Sequence, residues 1–143
     1  MAKKLNFEIT TPEGIVFSDQ IDEIVLPTPQ GEIGILPNHI PLVSLLSAGE
    51  VRIKKGEEIT YLAVSGGFIE IRPDKVVVLA DTAERAEDID EAKAEEARKK
   101  AQVLLKEKRA DARDFTALSA KIEKELTRLK VVKRRRRRKE PPL

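Results

Sequence analysis

ITYLAVSGGFIEIRPDKVVVLAD, residues 59–81, is the stretch whose reading decides the fold. Its two ends, ITYLAVS (Ile59–Ser65) and KVVVLAD (Lys75–Asp81), are continuous aliphatic and β-branched runs bounded by Ser65-Gly66-Gly67 and Pro73-Asp74. Such runs between turn signals suit strands covered on both sides. Ser65-Gly66-Gly67 is expected to form a tight hairpin. It lacks the GxxxxGK[ST] context of a phosphate loop and leads into a strand, not a helix.

Upstream, apolar and polar residues alternate at Leu5, Phe7 and Ile9, and again at Val51 and Ile53; Phe68 and Ile71 have β-branched neighbours. Period two is the signature of half-buried strands. Eight to ten short strands with no helical period between them indicate a sandwich or flattened barrel. All seven glycines lie at or before Gly67, and no proline falls between Pro73 and Pro141. A boundary near Asp81 to Asp88 follows.

Downstream of Asp88 the period becomes helical. Ala94, Ala97, Ala101 and Leu104 or Leu105 recur at steps of three and four, then Phe115, Leu118, Ile122, Leu126 and Leu129. Two amphipathic helices are expected, with Asp88 and Glu91 as a capping box and the polar stretch 110–114 as a short link that favours an antiparallel hairpin. The first helix offers an alanine seam. An alanine methyl is worth about 0.8 kcal/mol or less on burial, against about 1.5–3 for Leu or Phe, so the hairpin is expected to be held weakly and to open more easily than the sheet unfolds. The expected fold class is α+β: a β-domain over 1–87, a helical hairpin over 88–132, and a basic, disordered tail over 133–143.

A chain of 143 residues suits one modest domain with an appendage. There is no run of about 18 apolar residues, and the start MAKKLNFEIT lacks the apolar centre of a secretory signal, so an intracellular soluble protein is expected. Absence of Cys excludes disulfides, thiolate nucleophiles and Cys-based zinc sites. The net charge is +2 although Lys133–Lys139 is seven consecutive positive residues, so the remainder is acidic. Aromatics are 3% with no Trp, which removes the ring platforms that stack single-stranded bases. The tail has three readings: a solvated end, a contact for phosphates or anionic lipid, or an arm for an acidic protein patch.

The best functional signal is GEIGILPNHIPL, Gly31–Leu42, which holds the chain's one histidine, His39. Catalysis by His39 needs a base, acid or orienting group, and the neighbourhood offers only Asn38, Ser44 and Ser47. A structural or interface histidine fits better. An exposed loop carrying Ile33, Ile35, Leu36 and Ile40 costs solubility unless it meets a partner. Gly34 is expected to permit the exposing backbone shape, while Pro37 and Pro41 stiffen it and lower the entropy lost on docking.

These residues resemble a known family. Gly31–Leu42 is similar to the GE-x-GI-x-P-x-H-x-PL signature of the epsilon subunit of bacterial and chloroplast F-type ATP synthases, and Ser65–Glu70 with Val76–Ala83 resembles that family's SGG-x-x-E and V-x-V-LADTA block. The resemblance covers about residues 5 to 132 and excludes the arginine tail. It implies a sandwich of about ten strands and a two-helix hairpin in a non-catalytic central-stalk subunit. That subunit couples proton-driven rotation to ATP synthesis, peripheral to the cytoplasmic face of the bacterial plasma membrane.

The resemblance assigns contact with the gamma subunit and the c-subunit ring to Glu32, Ile33, Gly34, Ile35, Leu36, Pro37, His39, Pro41 and Leu42. It also implies that the hairpin can extend into the alpha/beta catalytic head and block hydrolysis, with Lys121, Lys124, Arg128 and Lys130 opposite acidic beta-subunit residues. Some members bind ATP through I-D-x-x-R-A, which here is Ile89-Asp90-Glu91-Ala92-Lys93-Ala94. Lys93, Lys100 and Lys124 stand where those members have arginines, while Glu84 and Arg128 keep the expected type. Lysine lacks the planar fork that holds phosphate oxygens, so ATP affinity is expected to be reduced or lost. No resident cofactor, no metal and no specific nucleic acid partner are expected. The rival reading is a small polyanion-binding β-domain acting through the arginine tail.

Overall fold

A computed structural model describes residues 3–107 and 112–139. Eight strands are followed by two helices: β1 (Leu5–Thr11), β2 (Gly14–Ile21), β3 (Glu23–Thr28), β4 (Gly31–Ile35), β5 (Leu42–Lys55), β6 (Glu58–Ile71), β7 (Lys75–Ala80), β8 (Ala83–Arg85), α1 (Glu91–Glu107) and α2 (Ala112–Lys139). The hydrogen-bonded path is β2-β1-β7-β6-β5-β3-β4, with β8 also beside β6, and only β1 and β7 run parallel.

This path folds over on itself because β5 and β6 are each 14 residues long, β6 changes partners midway, and β5 meets β3 only near one end. Residues 67–71 of β6 pair with β7, while residues 62–64 pair with β8. On β5 it is Arg52–Lys54 that pairs with β3. The inward parity flips across the same bend: Leu62 and Val64 are buried before it, Ile69 and Ile71 after it. Each long strand therefore serves both layers, so eight strands build the sandwich where about ten were expected. One core lies between them, with Leu5, Phe7, Ile9, Ile24, Leu26, Val51, Ile53, Val76 and Val78 essentially inaccessible.

Ser65-Gly66-Gly67 does not form the expected hairpin; it is the bend within β6. Gly66 and Gly67 take φ of 123° and 141°, a region that L side chains avoid. A Cβ on Gly67 would lie 1.9 Å from the Leu79 carbonyl oxygen. Two glycines permit a sharp corner without ending the strand.

The expectation that both runs are covered on both sides holds for one of them. Leu62, Ala63 and Val64 are all buried, because α2 covers the outer face of β6 and Ala63 meets Val131 there. In β7 the outer face stays open and Leu79 is exposed.

The cap of α1 is Asp90, not Asp88: the Lys93 N–H donates to Asp90 Oδ1 at 3.1 Å, and Asp88 belongs to a 3₁₀ turn over Ala86–Asp88. Val131 closes a small second cluster with Ala63, Ala86 and Ile89. The expectation of a disordered basic tail over 133–143 is corrected as far as Lys139, and residues 140–143 lie outside the described residues. Lys133–Lys139 is the last two turns of α2, since arginine is a good helix former and no proline or glycine interrupts the helix before Pro141.

Candidate functional site

The Gly31–Leu42 stretch is only partly a loop. Gly31–Ile35 is β4, paired with β3, so Ile35 lies fully in the core and Ile33 packs half-buried against it. Ile35 is thus unavailable as a direct contact, and Leu36 and Ile40 are the exposed members. Gly34 sits in the ladder opposite Val25. The exposing turn comes instead from Asn38, whose φ is 68° and whose N–H donates to the Pro73 carbonyl at 2.7 Å; asparagine tolerates this region. His39 Nδ1 donates to the Ile40 carbonyl at 2.7 Å. That bond fixes the ring beside the backbone. Glu32 pairs with Arg52 at 2.8 Å across the sheet.

Alongside this turn is an apolar row that sequence reasoning missed. Leu45 of β5 is opposite Phe68 of β6, which is opposite Leu79 of β7, which is opposite Thr10 of β1; Thr10 in turn is opposite Ile15 of β2. Leu45, Phe68, Leu79 and Ile15 are each more than half exposed, as is Val43 two residues from Leu45. Exposed apolar side chains scattered singly mean little, but a contiguous set marks an interaction surface. The sequence carried no signal for it, because facing is set by which side other elements cover. Leu36 and Ile40 are exposed in the turn that leads into β5, while Leu42, opposite the core residue Ile71, lies on the other face from the row.

The residues assigned to a nucleotide are brought together only in part. Glu84, Lys124 and Arg128 line one cleft of about 500 Å³ with Glu13, Asp81 and Thr82. Arg128 grips Glu84 with both arms, at 2.8 Å each, and reaches Glu125 at 2.7 Å. Burial works against the Arg128 charge, and these two carboxylates outweigh it, so its pKa is raised. Asp90 caps α1, Ile89 and Ala94 are buried, and Lys93 is exposed. Lys100 pairs with Glu96 one turn back, at 2.9 Å. The arrangement is a docked helix held by ions, with Arg128's fork already closed. Of the inhibitory set, Lys121 and Lys130 are exposed, Lys124 is half-buried in the cleft, and Arg128 is engaged.

Among the described residues no three His, Cys, Asp or Glu side chains are grouped to hold a metal ion, and no helix is long and apolar enough to cross a membrane.

Comparison with known proteins agrees with this architecture. The family model described as ATP synthase, Delta/Epsilon chain, beta-sandwich domain matches residues 4–86, and the one described as ATP synthase, Delta/Epsilon chain, long alpha-helix domain matches residues 87–133. The chain belongs to this ATP synthase delta/epsilon family. The epsilon chain of Dehalococcoides mccartyi is 47% identical over 134 residues, covering 94% of this chain and 96% of the relative. That of Chloroflexus aggregans is 46% identical over 127 residues, covering 89% and 91%.

A chain in the structure of the Euglena gracilis mitochondrial ATP synthase (OSCP, F1 and c-ring) shares the fold. Its TM-score is 0.72 at 21% identity, with 86% of this chain and 78% of that chain covered. As a delta/epsilon family member the chain is an epsilon-type subunit of the rotary complex, and the rival reading, a polyanion-binding domain, finds no support in these matches. The match to the helical family model stops at residue 133, before most of the arginine run.

Proposed function

We propose that this epsilon-type subunit works without catalysis of its own, docking its sandwich on the rotor and using its hairpin as a regulator of hydrolysis. The apolar row Leu45–Phe68–Leu79 carries the proposal, being three neighbouring apolar side chains on adjacent strands that are each more than half exposed. Its partner is the gamma subunit, joined by Leu36, Ile40 and Leu42 from the turn. Glu32, Pro37, His39 and Pro41 complete the contact towards the ring of c subunits at the cytoplasmic face of the membrane. Through it, rotation of gamma and ring couples to ATP synthesis in the alpha/beta head.

When the hairpin lifts, Lys121, Lys124, Arg128 and Lys130 become free to meet acidic residues of that head; each exposed pair contributes only about 0–1 kcal/mol, so inhibition needs several together. No resident cofactor enters this reading. ATP, if it acts on the docked hairpin, binds weakly, since Lys93 and Lys100 lack a guanidinium fork and Arg128 must leave Glu84.

The test is calorimetric titration of purified gamma subunit into the full chain and into Phe68→Ser. Loss of a central aromatic anchor of about 2 kcal/mol weakens binding about 30-fold, with an unchanged unfolding midpoint because Phe68 already faces water. Equal affinities would remove the row from the interface, and absence of binding by the folded parent chain would sink the docking proposal itself.

A further inference from the structure

The arginine run has a structural task that the family match does not cover. Glu50 on β5 is a carboxylate whose side chain is 2% exposed. Two guanidinium groups reach it. Arg52, on its own strand, approaches at 3.4 Å and is shared with Glu32. Arg138, from the last turn of α2, brings Nη2 to 3.2 Å of Oε1 and Nη1 to 3.4 Å of Oε2. The Arg138 guanidinium also lies 4.3 Å from the centre of the Tyr61 ring on β6. Two residues earlier, Arg136 approaches Glu91 at the start of α1 at 3.4 Å. A two-armed contact with a carboxylate combined with stacking on a ring is a role suited to arginine and not to lysine.

We propose that Arg138 is a latch that holds the hairpin down on the sandwich, with Glu50 and Tyr61 as its catch. The rest of the docking surface is small: Val131 and Val132 against Ala63, Ala86, Ile89 and Tyr61, plus the Arg128–Glu84 pair. Arg138 adds a second ionic anchor nearly three turns beyond Arg128, so α2 is pinned at two separated points and cannot pivot about one. A partly buried ion pair of this kind is screened by salt less than a surface pair but is still weakened by it. The remaining arginines are not equivalent: Arg138 meets Glu50 and Tyr61 although 37% of its side chain stays exposed, whereas Arg137, next in sequence, forms no ion pair with any described residue. The inference concerns which hairpin state the isolated chain holds, and it stands whether or not the hairpin regulates hydrolysis.

Amide hydrogen exchange of the full chain tests it, comparing the parent with Arg138→Gln, Arg138→Lys and Arg137→Gln. Release of the latch raises exchange across residues 115–132 about tenfold in Arg138→Gln, while peptides from β6 and β7 keep their protection. Arg138→Lys recovers less than half of the loss, and Arg137→Gln, which removes the same charge, behaves as the parent. Unchanged exchange in Arg138→Gln overturns the proposal. So does an equal rise in Arg137→Gln, which would show general charge and not a latch, or an equal rise in the strands, which would show global destabilisation.

Discussion

Gly67 sits where β6 passes from one layer to the other, and both its dihedral and its surroundings exclude a side chain. The 1.9 Å separation from the Leu79 carbonyl cannot be relieved by a rotamer, because the clashing atom is backbone. Gly67→Ala is expected to destabilise the sandwich by about 3 kcal/mol or more. Gly56→Ala, at φ 61° with nothing within 4 Å, should cost about 1–2 kcal/mol. Urea unfolding of the two variants checks this, and equal costs would mean that β7 moves aside. The glycine pair was visible in the sequence as punctuation, but whether it ended a strand or bent one was not. That depends on whether β5 follows the same bend, and β5 keeps register with β6 on both sides of it, from Leu42 opposite Ile71 to Lys55 opposite Glu58.

At the scale of elements, α2 is the docking helix. The alanine seam of α1 was legible from its period, and Ala94 and Ala101 are indeed buried. Of the larger side chains expected on α2, Leu129 is buried, yet Phe115 and Leu126 are substantially exposed. The grip on the sandwich comes from Val131 and from the ion pairs, near the end that the sequence suggested was a solvated tail. Val131→Ala, which removes about two CH₂ equivalents, is expected to weaken docking by about 1.6 kcal/mol. It should appear as faster amide exchange in α2 with strand protection unchanged. Equal loss in helix and strands would show that hairpin and sandwich unfold as one unit.

At the scale of the whole molecule, the two layers are tied at one end by exposed carboxylates. Asp22 accepts from the Gly56 N–H at 2.6 Å and pairs with Lys4, and Asp19 pairs with Lys55 at 2.7 Å. The Gly56 N–H first, then Lys4, hold Asp22 below the usual carboxylate range; Lys55, then the Gln20 N–H, do the same for Asp19. A carboxylate with a lowered folded pKa contributes stability that is present above its ordinary value of 3.8 and is lost as pH falls through the lower folded value. The parent should therefore be more stable than an Asp19→Asn, Asp22→Asn double variant at neutral pH, with the difference shrinking in the acid limb below that ordinary value. Urea midpoints measured across pH check this, and a pH-independent difference would rule it out.

The sequence by itself determined most of the element types, the division between sandwich and hairpin and the family, because period two, period 3.6 and turn residues are local properties written in consecutive positions. It also placed Leu5, Phe7, Ile9, Val51 and Ile53 in the core. Only the tertiary structure decided which faces stay open and which charges find partners. Phe68 and Leu79 are exposed because no helix covers them, Ala63 is buried because α2 does, and Arg138 meets Glu50 across 88 positions of chain. Those outcomes depend on pairings between distant segments, and a short window of sequence contains no information about what will be packed against it.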